Sequence, residues 1–225
     1  MNYRHAFHAG NFADVIKHIV LARILTYLQD KPGAFRVIDT HAGAGLYDLE
    51  SDEARRGGEW LTGIARLMQA RLSNETAALT KPYLDIVRAF NPKGELKAYP
   101  GSPLIARGLL RPQDRLVACE LEPKARKALI DVLRRDEQAR VVDLDGWVAQ
   151  LVARLAAAAK PPGKCLRLEF SAAPQLDGAA LTSTGLLIVN PPYTLHGELK
   201  TILPELEMPL GQGGAARFRL EVPRP

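Results

Sequence analysis

Phe35-Arg36-Val37-Ile38-Asp39-Thr40-His41-Ala42-Gly43-Ala44-Gly45 is a short β-rich run that ends on an acid and hands over to a loop of small residues. A strand that gives way to glycines at its carboxyl end is where open α/β sheets bind ligands. Upstream, Asn11 is positioned to cap a helix with Asp14 at its third position, and Val15, Ile16, Ile19, Val20, Ile24, Leu25 and Leu28 carry that helix to the Lys31-Pro32-Gly33 stop. Its apolar positions surround most of the cylinder, which predicts burial on nearly every side. Asp14, Lys17 and His18 are the exception, sharing one stripe of the first turns.

Downstream, residues 47–99 read as helical. Trp60, Leu61, Ile64, Leu67 and Met68, then Leu84, Ile86, Val87 and Phe90, fall at helical spacing before Asn91-Pro92-Lys93-Gly94 breaks the pattern. Strand rhythm resumes at Leu116–Glu120, a helix fits Pro123–Arg135, and Ala139–Asp143 reads as a third strand. Trp147–Ala159 reads as a further amphipathic helix. After Lys160-Pro161-Pro162-Gly163 come two apolar runs, Cys165–Phe170 and Gly185–Val189, the second ending in Asn190-Pro191-Pro192-Tyr193. Strand and helix alternate, so the fold class is α/β.

The 225 residues are 47% hydrophobic and 24% charged, which suits one packed domain with an insert and excludes a disordered tail, a collagen-like repeat or a coiled coil. A net charge of +5 is compatible with a polyanionic partner without demanding one. Cys119 and Cys165 are the only cysteines and form no Cys-x-x-Cys pair, so neither a disulfide framework nor a zinc knuckle is indicated. The N-terminal residues lack an apolar signal core and Arg23 interrupts the nearest greasy stretch, so the expected location is cytoplasmic, with no membrane association.

The loop at 39–45 lacks the third glycine of a dinucleotide fingerprint, because that position holds Asp48. This counts against a nicotinamide-dependent oxidoreductase. An S-adenosylmethionine loop seats no pyrophosphate, and two glycines suffice. Glu120, at the end of the next strand, stands where a carboxylate accepts from ribose hydroxyls. Asp145-Gly146 follows the third strand, where an acid accepts from the adenine amino group and a glycine leaves room for the ring. Tyr3, Arg4, His5, His8, Lys17 and His18 crowd the first eighteen residues. A metal site would need firmer ligand spacing, whereas stacking on bases and pairing with phosphates suits this mixture. Asn190-Pro191-Pro192-Tyr193 has the composition of a segment that grips a target amine and stacks on a flipped base; its plainer reading is a rigid strand exit.

Tyr3–His18, Asp39–Gly45 and Tyr99-Pro100-Gly101-Ser102-Pro103 together closely resemble the bacterial 23S ribosomal RNA adenine N6-methyltransferase J family. The resemblance implies a class I S-adenosylmethionine-dependent methyltransferase, Rossmann-like, with a helical subdomain inserted after the first strand: residues 1–46 and 100–225 form the methyltransferase domain and 47–99 the insert. It implies cofactor contacts at His18, His41, Ser102, Glu120, Asp145 and Gly146, and RNA or activity roles for Tyr3, His5 and Lys17. The implied reaction is methyl transfer to an adenine N6 of 23S rRNA by a monomer without metal.

One departure is decisive. The family carries Asp-Pro-Pro-aromatic soon after its Asp-Gly pair, and here that stretch is missing between Pro162 and Gly163. Two central strand-helix units of roughly thirty residues each would account for the loss. Asn190 aligns with a second, non-catalytic family segment, so the catalytic residue is unassigned and Asn190 is only a fallback amine acceptor. The rival expectation is a catalytically impaired nucleic-acid-binding homologue.

Overall fold

The computed structural model describes residues 5–143, 165–173, 181–212 and 216–222. Helix α1 (Phe12–Gln29) begins where the Asn11 side chain accepts the Asp14 N–H at 2.9 Å. Phe12, Ile16, Ile19 and Val20 are buried in one core and Leu25 in another, so α1 serves two packed clusters at once. The Arg111 guanidinium donates to the carbonyls of Gln29 and Gly33 and fixes the turn into β1 (Arg36–Asp39).

β1 pairs in parallel with β4 (Arg115–Glu120), and β4 with β5 (Ala139–Asp143), in the order β1-β4-β5. Among the described residues, β1 has no second strand neighbour. Between β1 and β4 the chain makes β2 (Leu46–Asp48), the helices α2 (Asp52–Gly57), α3 (Glu59–Thr62), α4 (Ile64–Gln69) and α5 (Asn74–Ala89), then β3 (Ala98–Pro100) and α6 (Ser102–Gly108). Antiparallel pairing of β2 with β3 closes the base of this helical excursion, with Tyr47 opposite Tyr99. Ile64, Leu67, Tyr83 and Val87 share a core with Ile16 of α1, so the excursion packs into the body of the molecule.

The helical stretch expected around residues 60–68 is two pieces, broken at Gly63. A Cβ there would stand 2.1 Å from the Gly10 carbonyl oxygen, and the Ile64 N–H donates to that same oxygen at 2.9 Å. Backbone contact with the N-terminal segment therefore competes with helix continuity.

After β4, α7 (Pro123–Leu133) leads to β5. The remainder forms a second sheet of order β7-β6-β8, from β6 (Cys165–Ser171), β7 (Ser183–Val189) and β8 (Arg217–Glu221), all antiparallel. Its Leu166, Leu168 and Phe170 face α1 and α8 (Leu195–Leu210). Besides the β2-β3 pair, the described strands thus form two separate three-stranded sheets, where a Rossmann-like expectation has one. The helix expected at 147–159 lies outside the described residues. No described helix is long and apolar enough to cross a membrane.

Candidate functional site

The loop after β1 is tied to β4 by a bond from the Ala42 N–H to the Cys119 carbonyl, 3.0 Å. Gly43 and Gly45 both have positive φ, +63° and +80°, a conformation that glycine adopts without steric cost. A Cβ at Gly43 would also fall 2.1 Å from the Tyr47 hydroxyl. Glu120 takes the Gly43 N–H at 2.7 Å on one carboxylate oxygen and the Glu122 N–H at 2.8 Å on the other. A carboxylate offers about four lone-pair sites, so acceptor capacity for two further hydroxyls is left.

Beside it, Asp39 accepts from the Ser102 hydroxyl at 2.6 Å and from the His41 N–H at 3.1 Å. Burial pushes the Asp39 carboxyl above its ordinary value, and these two donors oppose the rise. The His41 ring lies at the exposed rim, 3.0 Å from the Thr40 hydroxyl. His18 is buried, with Nδ1 2.7 Å from the Tyr99 hydroxyl, which in turn meets the Tyr83 hydroxyl at 3.0 Å. Burial pushes His18 down to about 4, against the pull of the Asp14 charge. Its imidazole is therefore neutral at pH 7, a directional hydrogen-bonding group rather than a cation.

A second cluster adjoins the first. The buried Asp14 carboxylate holds His5 Nε2 at 2.9 Å, Lys17 Nζ at 3.0 Å and the Gly10 N–H at 3.1 Å. Burial alone would raise this carboxyl, but the His5 hydrogen bond and the charges of His5, His18 and Lys17 outweigh it and hold it well below the usual carboxylate range. Glu59 of α3 bridges His8 and Asn11, each at 2.8 Å. The His5 ring packs on Tyr47, with centroids 5.1 Å apart.

The structure therefore brings Asp39, Ser102 and Glu120 around one glycine loop, with His41 at its rim, and joins His5 to Lys17 through Asp14. Tyr3, Asp145 and Gly146 lie outside the described residues. Asn190, with φ +52°, stands at the end of β7. Tyr193 just beyond it meets Tyr27 edge-on at 5.7 Å, beside a cavity of about 260 Å³ lined by Arg23, Lys31 and Glu198 among others. Tyr27 is nine residues past His18, roughly 13 Å along the helix axis. The Asn-Pro-Pro-Tyr segment is thus at the far end of α1, and the structure does not bring it to the glycine loop. Tyr47 and Glu59 carry no signal in the sequence, and Tyr99 enters it only as the first residue of the Tyr99–Pro103 motif, with no role attached. Asp14 has a partial one, its i,i+3 spacing to Lys17.

A family model described as ribosomal RNA large subunit methyltransferase D, RlmJ, matches residues 32–162. Ribosomal RNA large subunit methyltransferase J of Escherichia coli K12 is 34% identical, covering 96% of this chain and 97% of its own. Its Haemophilus influenzae counterpart is 32% identical, covering 98% of each. The first alignment runs over 275 positions against a chain of 225, so at least 50 positions (275 − 225) of that relative have no counterpart here. A crystal structure of a Legionella pneumophila protein superposes with a TM-score of 0.77 at 27% identity, over 96% of this chain and 98% of that one.

Proposed function

This chain belongs to the ribosomal RNA large subunit methyltransferase J family, and we propose that it transfers a methyl group from S-adenosylmethionine to the N6 of an adenine in 23S rRNA, as a cytoplasmic monomer. The observation that carries the reading is the Glu120 carboxylate, anchored on Gly43 and Glu122 with acceptor capacity left over beside two positive-φ glycines. That arrangement fits a nucleoside: Glu120 would accept from ribose hydroxyls, the glycines would admit a close approach, and His18, His41 and Ser102 would complete the cradle with Asp145 and Gly146. When bound, S-adenosylmethionine supplies an electrophilic sulfonium methyl.

Tyr3, His5 and Lys17 are assigned to the RNA, the last two oriented by Asp14. Residues 1–46 and 100–225 are read as the methyltransferase domain and 47–99 as its helical insert. The chain is further read as lacking two strand-helix units between Pro162 and Gly163. The excess length of the alignment and the edge of β1, which has no strand partner among the described residues, support this. None of the described residues places an acid- or amide-Pro-Pro-aromatic segment at the loop, and no catalytic role is given to Asn190.

Two measurements test the reading. Titration calorimetry with S-adenosylmethionine and with S-adenosylhomocysteine is expected to show one site per chain, and the absence of heat for both refutes it. A labelled-methyl assay on unmodified 23S rRNA is expected to mark adenine N6. An intact mass well above 24.7 kDa would show that the catalytic segment is present in the protein as made.

A further inference from the structure

Tyr47 stands between the two clusters. Its hydroxyl accepts the Ala44 N–H of the glycine loop at 3.2 Å, while its ring packs on His5. It is 7% exposed and close-fitted, since a Cβ at Gly43 would meet its hydroxyl and one at Gly101 would lie 3.1 Å from its ring. Register fixes it further: Tyr47 is paired with Tyr99, whose hydroxyl holds His18. A contiguous chain of contacts results, from His5 through the Tyr47 ring and hydroxyl to Ala44, then by the adjacent Gly43 N–H to Glu120.

We infer that Tyr47 is a positioning residue that couples occupancy of the glycine loop to RNA binding at the N-terminal face. The inference rests on the function proposed above. A nucleoside held by Glu120 and the glycines immobilises the loop backbone. The phenol bonded to Ala44 is immobilised with it, and the surface that His5 packs on is ordered before RNA arrives. Ordering already completed by one ligand need not be supplied by the next, which appears as positive cooperativity. The coupling is reciprocal, so RNA tightens cofactor binding by the same factor.

The test is RNA affinity for unmodified 23S rRNA, measured by filter binding with and without saturating S-adenosylhomocysteine, on the unaltered chain and on Tyr47→Phe. The phenylalanine keeps the ring against His5 and removes the hydroxyl. The unaltered chain is expected to bind RNA about fivefold or more tightly with S-adenosylhomocysteine present, within the usual range of coupling. Tyr47→Phe is expected to reduce that factor below about twofold, with RNA affinity in the absence of S-adenosylhomocysteine preserved. Loss of a merely structural hydroxyl would lower both affinities and leave their ratio alone. Should the variant fail to fold, hydrogen exchange at the Ala44 amide of the unaltered chain decides the matter: slower exchange on adding RNA alone supports the coupling, and unchanged exchange overturns it. Binding of both ligands with independent affinities, or a full factor retained in Tyr47→Phe, overturns the inference and leaves the functional reading intact. Binding of neither overturns both.

Discussion

Replacing Asp14 by Asn tests whether one buried carboxylate organises the N-terminal face. The side chain is 2% exposed and receives three donors, from His5, Lys17 and the Gly10 backbone. Asparagine has the same shape but only one acceptor oxygen. With that oxygen toward His5 and Gly10, its amino group faces the Lys17 ammonium, and Lys17, 42% exposed, swings into water. Losing that half-exposed pair costs at most about 1 kcal/mol. The two remaining bonds lose their charge assistance, about 1 kcal/mol each, and the buried amino group is left without an acceptor at about 1–3 kcal/mol. Relief from burying a charge offsets part of this. The expected net loss is about 2 kcal/mol, which at a urea slope of about 3 kcal/mol per molar lowers the midpoint by roughly 0.7 M. The pH dependence has a definite sign. A carboxyl held below its unfolded value contributes stability that is complete above that value and lost as pH falls through the folded one. The gap between the two proteins should therefore stay constant from pH 7 to about 5 and narrow only below about 4. A gap under about 0.5 kcal/mol at pH 7, or one that closes above pH 5, refutes the assignment.

Two further outcomes are expected. His18, whose pKa burial pushes down to about 4 from an ordinary 6.5, lets the unfolded chain bind a proton that the folded chain refuses. Stability should therefore drop as pH is lowered across that window, by about 2 kcal/mol from pH 7 to pH 5, a loss absent from His18→Asn by urea titration at the two pH values; equal losses in both proteins would exclude His18 as the source. Glu120→Gln replaces one charged acceptor by a donor and should weaken S-adenosylhomocysteine binding about 10- to 100-fold, with unaltered calorimetric affinity counting against the assigned ribose contact.

What the sequence discloses here is local. The β1 run, its glycine loop and α7 follow from patterns within a dozen residues, and Asn11 caps α1 because capping is a three-residue arrangement. The stripe of Asp14, Lys17 and His18 is visible in helical spacing, yet its use is not: His5 reaches Asp14 by a turn, and His18 bonds a tyrosine 81 positions away. Tyr47 and Tyr99 become neighbours only through strand register across the excursion at 49–97, and no local periodicity encodes that pairing. Gly63 is similar, its helix break set by the Gly10 carbonyl rather than by its own neighbours. The antiparallel second sheet is also non-local, since Cys165–Phe170 reads equally well as a parallel or an antiparallel strand.

The separation of the parallel sheet from the antiparallel β7-β6-β8 sheet bears on what this chain does. β1-β4-β5 is parallel, and the carboxyl ends of its first two strands deliver Asp39 and Glu120 to one loop, so the ribose end of the proposed cofactor site depends only on pairings present among the described residues. An unpaired strand edge leaves backbone donors and acceptors without partners, and among the described residues β1 offers one on its far side. Two further parallel strands placed there would satisfy that edge, and their carboxyl ends would project beside Asp39. That is where a segment gripping the target amine has to stand to face a methyl donor held by Glu120. Asn190 cannot substitute for it, because Tyr193 packs on Tyr27 at the opposite end of α1. On the proposed reading, cofactor affinity and methyl transfer rest on different parts of the chain, and the proposed loss between Pro162 and Gly163 would remove support for the second while leaving Asp39, Ser102 and Glu120 of the first in register.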